Sequence, residues 1–100
     1  MTDTPREIPH ADLWREKGEE NIDTWGRQAF GTLLLAAQEE MGELTQAYLE
    51  ARDEDDDPER IQTELDDLAA LLVQMAWLIE DEAVDVQAEE PVELEGKSGR

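Results

Sequence analysis

The sequence predicts an all-α protein: a helical hairpin with a short N-terminal helix, assembling into a four-helix-bundle-like oligomer. Three observations predict it. Two segments carry apolar residues at alternating spacings of four and three, the period that keeps side chains on one stripe of a helix. Between the segments stand five consecutive acids, Asp53-Glu54-Asp55-Asp56-Asp57, which repel one another and bury nothing, so they read as a solvated loop. The two stripes also offer more apolar surface than one hairpin and a short helix can cover, so a second hairpin is expected to close the core. The 100 residues divide into an N-terminal segment (1–22), a hairpin domain (23–82) and an acidic tail (83–100) that is expected to lack fixed structure.

The elements follow in order. Thr4-Pro5-Arg6-Glu7 has the form of a capping box, but Pro9 arrives too soon for that helix to grow. A short helix over about 9–20 is expected instead, bringing Leu13, Trp14 and Lys17 toward the hairpin, with His10 exposed at its start. The first hairpin helix is expected over about 24–52, with Asp23 or Thr24 as N-cap and a stripe of Phe30, Leu34, Ala37, Met41, Leu44 and Tyr48. The second opens at Asp57-Pro58-Glu59, a capping acid followed by proline at the first helical position and an acid suited to the positive end of the dipole. Its stripe is Ile61, Leu65, Leu68, Leu72, Met75 or Ala76, and Ile79, and it is expected to end near Glu82. Leu71, Trp77 and Leu78 lie off this stripe, so the second helix needs more than one neighbour.

Charge restricts the function classes. With 28 Asp and Glu against 8 Lys and Arg, the net charge of -20 argues against binding to nucleic acid phosphates or an anionic membrane surface. The longest apolar stretch, from Leu68 to Ile79, is about 12 residues where a membrane span needs roughly 20. Residues 1–7 hold one Arg, two acids and no apolar run, so no secretory signal is expected, and a cytoplasmic location is. No cysteine is present, which excludes disulfide and thiolate chemistry. Only Lys17 and Lys97 are lysines, and an acid-rich, lysine-poor chain fits either a salt-rich cytoplasm or an ordinary acidic protein.

Four acids stand out by helical phase. Glu40 and Glu43 are three residues apart and project about 60° from each other on the flank of the first stripe; Glu64 and Asp67 repeat this on the second. A constant offset of 24 maps Ala37, Met41, Leu44 and Tyr48 onto Ile61, Leu65, Leu68 and Leu72, and also maps Glu40 onto Glu64 and Glu43 onto Asp67. A hairpin packed through its stripes therefore converges the four carboxylates along one edge. Close carboxylates repel unless a cation sits among them, and their hard oxygens favour Mg²⁺ or Mn²⁺. Such an ion takes part of its shell from phosphates, which points to phosphate ester or anhydride chemistry. The competing reading makes these acids flank residues of two amphipathic helices in a very acidic chain. Gly42, inside the first helix, is either a site of close approach by a helix or ligand or a tolerated defect.

Glu39-Glu40-Met41-Gly42-Glu43-Leu44, then 20 residues after Glu43, then Glu64-Leu65-Asp66-Asp67, resembles the E-E-x-x-E and E-x-x-D signature of the MazG-type all-α nucleoside triphosphate pyrophosphohydrolases. The resemblance spans roughly residues 33–79. It implies a bundle built by oligomerisation, a homodimer or homotetramer, and Mg²⁺-dependent hydrolysis of a nucleoside triphosphate to a monophosphate and pyrophosphate. It implies Glu40, Glu43, Glu64 and Asp67 as metal ligands, with Glu39 supporting them or orienting the attacking water. On the substrate side, Trp14, Trp25 and Phe30 are candidate walls for a base, and Lys17, Arg27, Arg52 and Arg60 are candidate phosphate contacts. Family members often carry further Lys, Asn and Arg on a helix after the second motif, whereas 84–95 here holds no cation. The alternative function is a non-catalytic acidic helical module that binds a basic partner or mimics DNA.

Overall fold

A computed structural model gives the fold and describes residues 6–54, 57–84 and 86. Among these are three helices and no strand: α1 (Ala11–Trp25), α2 (Phe30–Asp53) and α3 (Glu59–Glu80). The all-α class and the α2/α3 hairpin match the sequence reading. The first two residues of the capping box (4–5), the centre of the acidic loop at 55–56 and most of the tail fall outside the described residues. Among the described residues, no helix is long and apolar enough to cross a membrane.

The break between α1 and α2 differs from the expected one, with α1 running to Trp25 instead of about residue 20 and α2 starting at Phe30 instead of about residue 24, and the difference has a local cause. α1 runs on through Asp23 and Thr24, so neither residue caps the hairpin. The chain breaks at Gly26, whose φ of 80° lies in the left-handed region that suits glycine, and the Gly26 N–H donates to Ile22 O at 2.8 Å. Only then, from Phe30, does α2 begin. α2 also extends to Asp53, one residue into the acidic run. α3 opens where expected: Asp57 Oδ1 accepts the Glu59 N–H at 2.9 Å, satisfying a donor that the first turn leaves free.

α3 is the central element. It packs against α2 on one face and α1 on another, while α1 and α2 do not pack against each other. Toward α2, Leu33, Met75 and Leu78 form the core, with Phe30, Leu71 and Val84 packed around them; Leu33 is 1% exposed. Farther along the hairpin, Ala37 and Ala47 of α2 and Leu68, Ala69 and Ala70 of α3 are also buried. Toward α1, the approach is close at Gly18. A Cβ there would stand 3.2 Å from Trp77 Cζ3 and 3.5 Å from Ala70 O, so glycine lets the helices meet. Trp77, which looked surplus in the sequence, is thus covered by α1 of the same chain.

The third face of α3 is open. Leu65, Leu72 and Ile79 are 36 to 60% exposed, and on α2 Leu34, Met41 and Tyr48 are 46 to 51% exposed. Each set recurs at intervals of seven, and the helices run antiparallel with Leu33 beside Leu78. By helical phase the two rows therefore lie on one side of the hairpin, opposite α1. This overturns half of each expected core stripe within the protomer, because the packed line of α2 runs through Leu33, Ala37, Leu44 and Ala47 instead. Gln38, Thr45 and Ala76, exposed and within about 40° of these rows in helical phase, are not acidic, in a chain with 28 acids.

Candidate metal centre

Because α1 and α2 flank α3 without touching, a cleft of about 350 Å³ lies between them, with α3 as its floor. That volume falls in the range of small-molecule sites. α1 and the following linker contribute Lys17, Asn21, Trp25 and Gln28; α2 contributes Ala36, Glu39, Glu40 and Glu43; α3 contributes Asp67, Ala70, Leu71 and Gln74. Polar groups thus line one wall and acids the other.

At the acidic wall, one carboxylate oxygen from each of Glu40, Glu43 and Glu64 lies within 4.8 Å of the others. Two turns of α2 and the facing turn of α3 place them there, as the i,i+3 spacing requires. Burial pushes the Glu40 carboxyl up to about 7 from an ordinary 4.5, and the charge of Glu43 adds to this, followed by Glu64 and Asp67. Glu40 Oε1 is buried and has no hydrogen-bond partner among the described residues. A buried acceptor with no donor, among other carboxylates, has the chemistry of a cation ligand. Glu40, Glu43 and Glu64 would each hold such a cation through one carboxylate oxygen, the hard donor that Mg²⁺ takes.

Asp67 is the fourth acid. It lines the cleft and its charge reaches Glu40, but it is not in the tight set of three. Its Oδ1 instead accepts from Lys17 Nζ at 3.0 Å, and this hydrogen bond holds the Lys17 ammonium above its usual pKa. Gly42 has open space around it, so nothing in the protomer approaches it closely.

The other expected site residues separate clearly. Glu39, Lys17 and Trp25 line the cleft, and Trp25 is 71% exposed. Trp14 does not line it; its indole N–H donates to Asp66 Oδ1 at 2.8 Å. Arg27 pairs with Asp81 at the far end of α3, Arg60 with Glu50 and Arg52 with its neighbour Asp53, while Phe30 packs on the core.

Asp66 is the residue the sequence reading passed over. It is 8% exposed and accepts from Trp14, from Gln62 Nε2 at 2.8 Å and from His10 Nδ1 at 3.0 Å. A carboxylate only accepts, so the His10 Nδ1 carries the proton in this contact. Burial pushes the Asp66 carboxyl up, but the three donors outweigh it and hold the group below its usual range. His10, expected to be a plain helix start, sits at φ 64° as the α1 N-cap and ties α1 to α3. Asn21, Gln28 and Gln74 were also missed. Lys17, Asn21 and Trp25 follow an i, i+4, i+8 spacing that becomes visible once α1 is extended to Trp25.

Comparison with protein-family models, curated proteins and solved structures finds no match to this chain. The residues themselves carry the functional reading.

Proposed function

We propose that the protein is a Mg²⁺-dependent nucleoside triphosphate pyrophosphohydrolase, working in the cytoplasm as a homo-oligomer. The observation that carries this reading is the convergence of Glu40, Glu43 and Glu64 at the wall of a cleft, with an orphaned buried oxygen on Glu40. The likeness of the E-E-x-x-E and E-x-x-D spacing to the MazG-type enzymes supports it. Mn²⁺ would serve the same hard oxygen ligands.

Glu40, Glu43 and Glu64 would hold the metal, with Asp67 joining them from the facing helix. The ion, when bound, supplies charge neutralisation for the triphosphate and a water of lowered pKa. Glu39 is exposed at the cleft beside Glu40 and takes up the proton of the attacking water or orients it. Attack at the α-phosphorus breaks its bond to the bridging oxygen, so pyrophosphate leaves and the monophosphate remains. Trp25 offers a ring face to the base, and Asn21, Gln28 and Gln74 offer amide donors and acceptors for its edge. No side-chain nucleophile is required.

The open face explains why the protein would work as an assembly. Six large apolar side chains, each roughly half exposed, leave on the order of 500 Å² uncovered, toward the upper end of the ~300–600 Å² of the largest apolar patch on a typical monomer, a size that often marks an interaction surface. Intervals of seven on both helices are the spacing of a coiled-coil seam, so a second copy can close a four-helix core while both acidic clefts face outward.

Phosphorus NMR of the products tests the reading. Incubation of common and modified nucleoside triphosphates with Mg²⁺, at low and high salt, is expected to yield monophosphate and pyrophosphate, and Glu43→Gln to abolish this with the helices intact. Absence of pyrophosphate from every triphosphate would leave the non-catalytic acidic module as the better account.

A further inference from the structure

We infer that Lys17 is a displaceable internal cation: it occupies Asp67 when no divalent ion is bound, competes with that ion for the carboxylate, and on release presents its ammonium to an anionic group in the cleft. This rests on the metal-binding reading of the acidic wall and says how that site is regulated.

The geometry carries the argument in three steps. Lys17 Nζ stands 3.0 Å from Asp67 Oδ1, and both residues line the same cleft, so the ammonium lies on the side from which a ligand would enter. The contact is also held in place. Trp14, three residues earlier on α1, donates to Asp66, the residue just before Asp67, while His10 donates to the same Asp66 and Gly18 brings α1 against Trp77 and Ala70. The helix carrying Lys17 is therefore pinned in register beside the acid cluster. Finally, among the described residues Lys17 is the cation paired with an acid of this wall, and Glu40 Oε1 has no hydrogen-bond partner there. Lysine is scarce in the sequence, the other one being Lys97.

An ammonium and a divalent ion compete for Asp67, because like charges within a few ångströms repel. A lysine, unlike arginine, is a compact charge on a flexible stem and can swing without disturbing a bidentate contact. The side chains of Lys17 and Asp67 are 34% and 38% exposed, so the pair is weak enough to be displaced. Metal binding at Asp67 would then convert an internal ion pair into a free positive charge facing the triphosphate oxygens.

The test is Mn²⁺ affinity by electron paramagnetic resonance, at moderate ionic strength and without nucleotide, for the wild type, Lys17→Met, Lys17→Gln and Arg15→Gln. The last removes a cation that, among the described residues, pairs with Asp12 and Glu19 and not with Asp67. Both Lys17 variants are expected to bind Mn²⁺ about three- to fivefold more tightly than wild type, and Arg15→Gln to change little. With saturating Mn²⁺, both Lys17 variants are expected to bind an α,β-methylene nucleoside triphosphate more weakly than wild type. Mn²⁺ affinity that is unchanged or weakened in both Lys17 variants, or raised equally in Arg15→Gln, overturns the competition while the metal site stands. Unchanged analogue binding overturns the hand-over to the substrate. Failure of wild type and variants alike to bind Mn²⁺ overturns this inference and the metal reading together.

Discussion

Glu40→Gln separates the function of the acid cluster from its cost to the fold. Glu40 has a folded-state pKa of about 7 against an ordinary 4.5, so the folded chain holds this proton more tightly than the unfolded chain does. Stability from this group is therefore complete below pH 4.5 and is lost as pH rises toward 7. At 1.36 kcal/mol per tenfold, the ceiling on that loss is about 3 kcal/mol; Glu40 is only part-buried, and water screening reduces the figure to about 1 kcal/mol. Glutamine mimics the protonated carboxyl and can still donate to Glu64. In EDTA at pH 8, Glu40→Gln is expected to melt about 5 °C above wild type, since 1 kcal/mol corresponds to about 4–8 °C for a domain of this size. In saturating Mg²⁺ the order reverses, because only wild type gains stability from binding the ion. Circular dichroism melts with and without Mg²⁺ measure both effects. A Glu40→Gln protein that melts below wild type in EDTA, or gains as much from Mg²⁺, would refute the electrostatic reasoning.

Other consequences follow from the same geometry. Mg²⁺ affinity measured by calorimetry is expected to rise from pH 6 to pH 8, with proton release on binding near pH 7, because the ion competes with the Glu40 proton. Asp66→Asn turns an acceptor of three donors into a neutral amide, and urea unfolding should show a loss of about 1–3 kcal/mol while Glu40, Glu43 and Glu64 still bind Mn²⁺. Met41→Glu with Leu72→Glu places acids on the open apolar face, and sedimentation is expected to give a dimer or tetramer for wild type and a monomer for the variant.

The hairpin and its acid pairs were legible because both depend on local spacing. The 24-residue offset that relates Glu40 to Glu64 and Glu43 to Asp67 is a statement of helical phase, and phase survives folding. What each stripe packs against is not local. Leu34, Met41 and Tyr48 carry the same period as Ala37 and Leu44, but α3 meets the latter, and periodicity alone does not choose between adjacent lines of one apolar surface. The first helix, expected to end near residue 20, runs on to Trp25 and stops at Gly26, because Asp23 and Thr24, which read as caps of the next helix, lie inside α1. The Asp66 clamp was hidden for another reason. Its donors His10 and Trp14 are more than 50 residues away along the chain, and no spacing rule connects them. Lys17 was legible as a cation near the site, but its bond to Asp67 depends on how α1 docks.

The central claim is that Glu40, Glu43, Glu64 and Asp67 bind a divalent cation. Anomalous diffraction at the manganese edge, from crystals grown with Mn²⁺ and a non-hydrolysable nucleoside triphosphate, tests it directly. The account predicts a peak about 2.1–2.2 Å from oxygens of Glu40, Glu43 and Glu64, with Asp67 turned toward it and Lys17 away. No peak at the cluster, or Mn²⁺ scattered over the acidic surface with Lys17 still on Asp67, would contradict it.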